Sequence, residues 1–175
     1  IIPISIGAIV LSQPIVKLLF ERGEFGTRET QMTTMALVMY SIGMCAFALR
    51  DILGKVFYSL KDTKTPMING IVTVLFNIVM NLILIKKFKL SGLAFSTSIS
   101  SIICILLLFR SMKKKIGYFG QDKILRTLVK SMIASIIMGG FTIISYKLLY
   151  NNLSANFIFE LLSLFISVSI GAVSY

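Results

Sequence analysis

Met67-Ile68-Asn69-Gly70-Ile71-Val72-Thr73-Val74-Leu75-Phe76-Asn77-Ile78-Val79-Met80-Asn81-Leu82-Ile83-Leu84-Ile85 is a run of 19 residues without a charge. At 1.5 Å per residue, about 20 such residues cross the roughly 30 Å hydrocarbon layer of a bilayer as one helix. Pro66 opens the run after Thr65, a proline at the first helical position with a capping hydroxyl before it. The short segment Lys86–Ser91 follows, read as a loop, and Gly92 opens the next apolar run.

The rest of the chain has the same character. Of 175 residues 56% are apolar and only 14% are charged, with a mean hydropathy of +0.89. A soluble domain carries about a quarter charged residues and roughly 45–50% apolar ones. Apolar surface in this excess belongs in lipid, so the fold class is all-α integral membrane. Besides Met67–Ile85, five runs are mostly apolar and about long enough to cross: Ile1–Leu19, Gln31–Leu49 (extending as helix to Tyr58), Gly92–Phe109, Leu128–Leu149 and Phe157–Tyr175. About six transmembrane helices are expected, the last of them incomplete. Since the chain starts at Ile1 and stops inside an apolar run, a fragment is expected. Charges avoid the middle of every span, as a cost of about 2.5–3.5 kcal/mol per central Arg, Lys or Asp requires. Pro14 sits in the last stretch of the first span, where it should kink or end the helix. Thr27 and Glu29 suit a helix start, with the acid complementing the dipole.

A net charge of +11 suggests nucleic acid only where basic residues share one face of a soluble fold. Here they lie between apolar runs, where they set topology and meet anionic headgroups. No nucleic-acid partner is expected, and membrane lipids are. Counted over alternate loops, eleven basic residues fall on one side and seven on the other. That bias places loops 50–66 and 110–130 in the cytoplasm.

Within the spans, Asn69, Thr73, Asn77 and Asn81 recur every four residues and form one polar stripe. The following span carries Ser96, Thr97, Ser98, Ser100 and Ser101. Such groups in lipid face other helices, a cavity or an ion. Two readings follow: interhelical hydrogen bonds with close packing, or a surface facing an ion or substrate. Asparagine carbonyls, a threonine hydroxyl and a backbone carbonyl would suit a hard cation such as Na⁺. Arg50, Asp51 and Lys55 cluster where the second span meets its loop, as interface anchors or as gate charges that re-pair between conformations. Arg110 and Lys113–Lys115 read as a topology signal. Cys45 and Cys104 lie inside apolar runs as small apolar residues. With no histidine, no intramembrane acid pair and no nucleophile beside a base, these residues do not assemble an enzyme active site.

Two segments carry a family likeness: Leu19–Phe25, reading LFERGEF, and Phe57–Pro66, reading FYSLKDTKTP. Between them lie Thr34, Ala36-Leu37, Tyr40 and Gly43, and after them Gly92-Leu93-Ala94. This order resembles the MurJ (MviN) lipid II flippases of bacterial cell-wall synthesis, in the multidrug/oligosaccharidyl-lipid/polysaccharide exporter superfamily. The resemblance implies a fourteen-helix, two-lobed transporter of the bacterial plasma membrane working by alternating access, not an enzyme. On that plan residues 1–111 are the later part of the second six-helix lobe. Residues 112–175 are two additional helices bordering a lipid-tail groove. The implied partner is lipid II, carried by a protein functional as a monomer. Arg22, Arg50, Asp51 and Lys55 become candidates for substrate contact or gating. No cofactor is implied beyond Na⁺ as coupling ion, for which Asn77, Asn81, the Leu93 carbonyl and Thr97 are the matching positions. A carboxylate at Asn81 would bind a cation better. A polysaccharide-lipid flippase or drug/cation antiporter of the same superfamily is the alternative. A membrane enzyme or assembly protein of polyprenyl-linked sugars is a more distant one.

Overall fold

The computed structural model describes residues 1–23, 25–117, 121–152, 162, 164, 166–169 and 171. Every regular element among them is a helix: α1 Ile2–Val10, α2 Ser12–Phe20, α3 Thr27–Ser59, α4 Lys64–Ile116 and α5 Gln121–Asn152. Contacts divide the chain into two compact units, residues 1–38 with 126–175, and Met39–Leu125.

α4 runs 53 residues, yet it is not one rod. Asn69 Nδ2 donates to Ser111 Oγ at 3.3 Å, across 42 residues of sequence. On a straight helix those residues stand about 63 Å apart, so the element doubles back on itself. The first arm is Lys64–Lys86 and the returning arm Ser91–Ile116. The expected loop between them is helical backbone throughout. It turns tightly enough that a Cβ on Gly92 would meet the Leu84 carbonyl oxygen at 2.7 Å.

In this unit the returning arm is the buried one. Its serines are the reason, since small side chains let two neighbours approach. Ser98 donates to the Met39 carbonyl of α3 at 2.6 Å, and a Cβ on Gly43 would fall 2.9 Å from the Ser98 Cα. Lower down, Ala46, Leu53 and Phe57 of α3 pack on Cys104, Ile105, Leu108 and Met112, each set spaced to share one helical face. The first arm exposes Ile71, Leu75, Ile78 and Leu82, which in a bilayer is a lipid-facing or protein-facing surface rather than a defect.

The other unit contains the break expected from Pro14. α1 and α2 meet at 67°, and the kink falls at Leu11 rather than at the proline. The physical reason is that proline disrupts the turn before it: it lacks the N–H that would reach the carbonyl four residues back, here Val10. Ser12 Oγ donates to the Ile9 carbonyl at 2.8 Å beside the break. α5 packs on α1 through Gly139, where a Cβ would meet Ile6 at 2.9 Å.

Among the described residues, four helices are long and apolar enough to cross a membrane, and five with the bent pair counted as one span. They match the first five expected spans, while most of the sixth, Phe157–Tyr175, lies outside the described residues. The second span begins at Thr27 and continues to Ser59, four residues earlier and one later than read from sequence. Residues 30–49 are free of charge, so the helix from Arg50 onward extends past one bilayer crossing of about 20 residues.

Candidate functional site

The polar stripe on the first arm faces the returning arm. Asn77 Nδ2 donates to Ser96 Oγ and Ser100 Oγ, both at 3.2 Å. Asn81 Nδ2 donates to Asn77 Oδ1 at 3.0 Å, and the Ser96 hydroxyl donates to Asn81 Oδ1. Thr73 donates to the Asn69 carbonyl at 2.7 Å, and Asn69 reaches Ser111 as above. The stripe is therefore a ladder that zips the two arms. Of the four residues matched to a cation, Asn77 and Asn81 join this ladder. Thr97 instead donates to the Leu93 carbonyl at 2.8 Å within its own helix. Among the described residues no group of three His, Cys, Asp or Glu could hold a metal ion.

A second cluster lies where α3 extends past its uncharged stretch. Arg50, Asp51, Gly54, Lys55 and Tyr58 line a cavity of about 450 Å³ whose floor includes Val74, Cys104 and Leu108. Arg50 pairs with Asp51 at 3.6 Å and lies 5.8 Å from the centre of the Phe47 ring. The structure thus brings three of the four candidate gating residues to one cavity. Arg22 belongs to the other unit, in the turn between α2 and α3. There Gly23 has φ +60°, and the Phe20 and Phe25 rings lie 6.0 Å apart, tilted by 42°. Glu21 accepts from the Thr30 hydroxyl at 3.1 Å, and Glu29 accepts from the Gly26 N–H at 3.1 Å. The segment just after the LFERGEF motif is thereby a built helix start: the Glu29 carboxylate closes the Gly26 N–H at the end where the dipole favours it.

The FYSLKDTKTP motif centres on a residue that the sequence reading left without a role. α3 ends with Asp62 N–H donating to the Phe57 carbonyl and Lys61 N–H to the Tyr58 carbonyl. Lys61 takes the left-handed conformation at φ 56°. Such a double closure leaves few helix-end carbonyls without partners. Asp62 then starts α4, accepting from Thr65 N–H at 3.1 Å and Thr65 Oγ1 at 2.7 Å. It also accepts from Lys115 Nζ at 2.5 Å. The sequence reading put the cap on the Thr65 hydroxyl before Pro66, whereas the helix starts at Lys64 and that hydroxyl donates to Asp62. No sequence signal marked Lys115, which had been read with its neighbours as a topology charge.

The Lys115 ammonium, with the Thr65 hydroxyl and N–H behind it, holds the Asp62 carboxyl well below the usual carboxylate range. A carboxyl depressed by folding contributes stability that is complete above its unfolded value near 3.9 and fades as pH falls below it. Asp62→Asn in the full-length protein is expected to lower the thermal midpoint at neutral pH. It should also shrink the further drop between about pH 4 and lower pH, read by circular dichroism.

Helices of membrane length, a hairpin zipped by polar side chains and a charged cavity beyond one span define a polytopic membrane protein. The model of the family described as lipid II flippase MurJ matches residues 1–164, and the chain belongs to that family. A relative from Vibrio cholerae, "Probable lipid II flippase MurJ", is 34% identical over 139 residues, 79% of this chain and 26% of the relative. One from Buchnera aphidicola subsp. Schizaphis graminum, with the same name, is 34% identical over 99% of this chain and 34% of its own length. A solved structure, "Lipid II flippase MurJ, inward closed conformation", superposes with a TM-score of 0.78 at 26% identity. It covers 99% of this chain and 34% of that one. The chain thus spans about a quarter to a third of the length of these relatives.

Proposed function

We propose that this chain is the trailing portion of a lipid II flippase in the bacterial plasma membrane. Its cargo is the lipid-linked peptidoglycan precursor, moved from the cytoplasmic to the outer face with no bond made or broken. The observation that carries this reading is the family match over residues 1–164. Residues 1–111 then belong to the second lobe and residues 112–175 to the two added helices, in a protein working as a monomer. Alternating access, in which one lobe rocks against the other around the carried headgroup, is the mechanism that suits a two-lobed transporter. The membrane potential or an ion gradient drives it.

The geometry supports the sidedness and the charges. Lys61, Lys64 and Lys113–Lys115 gather at the Asp62 end of the hairpin, opposite the turn holding Lys86, Lys87 and Lys89. The heavier positive end faces the cytoplasm. Arg50 and Lys55 there attract the anionic headgroup, while Asp51 offers Arg50 an alternative partner between states. Arg22 serves the same headgroup from its own unit.

Depletion in the host tests the proposal. Lipid II should accumulate on the cytoplasmic face, followed by loss of shape and lysis. Unchanged lipid II sidedness on depletion refutes it, and a polysaccharide precursor accumulating instead identifies the sister-exporter reading.

A further inference from the structure

We infer that the seam of the α4 hairpin is complete without a cation, so that its cohesion in this chain is independent of sodium. The ladder contains a closed ring. Asn77 Nδ2 donates to Ser96 Oγ, the Ser96 hydroxyl donates to Asn81 Oδ1, and Asn81 Nδ2 donates to Asn77 Oδ1. Each member both gives and receives a hydrogen, and bonds arranged head to tail polarise one another. The second N–H of Asn77 goes to Ser100, whose own hydroxyl donates to the Ser96 carbonyl at 2.7 Å.

A hard cation needs several oxygens turned toward one point. Here both asparagine side-chain oxygens already face donor hydrogens, and amide N–H groups lie among them. Turning those oxygens onto Na⁺ competes with the hydrogens of Ser96 and Asn81 that now face them. The other two matched positions, Leu93 and Thr97, satisfy each other within one helix. Neither arm of the hairpin supplies a carboxylate to offset the charge, since residues 67–85 and 91–109 hold no acid. Among the described residues, no buried side-chain nitrogen or oxygen lacks a hydrogen-bond partner. The chemistry of the donor set is that of a neutral zipper. This inference concerns the hairpin alone and holds for any cargo.

The test is the thermal midpoint of the full-length protein in nanodiscs, compared in sodium chloride and choline chloride at equal ionic strength. A bound ion raises the midpoint with its concentration by mass action. The expected result is the same midpoint in both salts. Ser96→Ala should lower it by the same number of degrees in each. Titration of wild-type protein with sodium, followed by ²³Na line broadening, gives a reading that needs no variant to fold. A midpoint raised by sodium in wild type and not in Asn81→Ala overturns the inference. So does line broadening by wild type that Asn77→Ser removes. Sodium effects that survive both substitutions place the ion elsewhere and leave the ring as the seam's closure.

Discussion

Gly43→Val is expected to part α3 from the returning arm of α4 and to destabilise the protein by about 3 kcal/mol or more. Overpacking a filled core typically costs about 1–3 kcal/mol when flexible side chains can yield. At Gly43 the obstacle is partly backbone. The first added carbon meets the Ser98 hydroxyl, then Ser98 Cβ at 2.8 Å and Cα at 2.9 Å. Moving the arm away also breaks the Ser98 bond to the Met39 carbonyl. Gly54→Ala is the matched control on the same helix, because a Cβ there meets nothing within 4 Å. Removing a glycine's backbone freedom from a helix should gain about 0.5–1 kcal/mol at that position. Thermal unfolding of the two variants side by side separates the contact from the residue type. Similar midpoints for both would discard the close crossing.

Gly92→Ala carries the second large effect, about 2–3 kcal/mol by the same overpacking argument. Its Cβ would lie 2.7 Å from the Leu84 oxygen and 3.0 Å from the Leu84 carbon. These are backbone atoms of the turn, so the hairpin itself must open. Opening it slides the asparagines of the first arm past the serines that receive them. The readout is disulfide formation between cysteines placed at Asn69 and Ser111, whose side chains touch at 3.3 Å. Cross-linking should be fast with Gly92 and slow with alanine. Equal rates would mean that the turn absorbs the methyl group.

Much of the architecture was legible because the membrane imposes it. A bilayer demands about 20 apolar residues per crossing, so Met67–Ile85 and its companions announced themselves. The four-residue spacing of Asn69, Thr73, Asn77 and Asn81 likewise announced one polar face. What that face meets was not legible. Ser96 and Ser100 are partners only because the turn sets their height, and turn geometry in residues 86–91 left no signal that read as helix. The kink was foreseen from Pro14, but its position follows from the i−4 carbonyl, which is a property of the preceding turn. The pairing of Lys115 was hidden for a different reason. A lysine in a basic run looks the same whether it faces a headgroup or a carboxylate 53 residues away. Of the charged candidates, Arg50, Asp51 and Lys55 are neighbours in sequence and duly share a cavity, whereas Arg22 resides in the other unit.

The three attachments of Asp62 set an order in time. Phe57 and Thr65 lie within five residues of it, so the corner that ends one helix and starts the next can form as soon as it leaves the ribosome. Lys115 arrives 53 residues later, after the hairpin has crossed the bilayer twice. At about 5–20 residues per second that is a delay of roughly 3–10 s. The carboxylate is thus positioned by its near neighbours before the arm it receives has been synthesised.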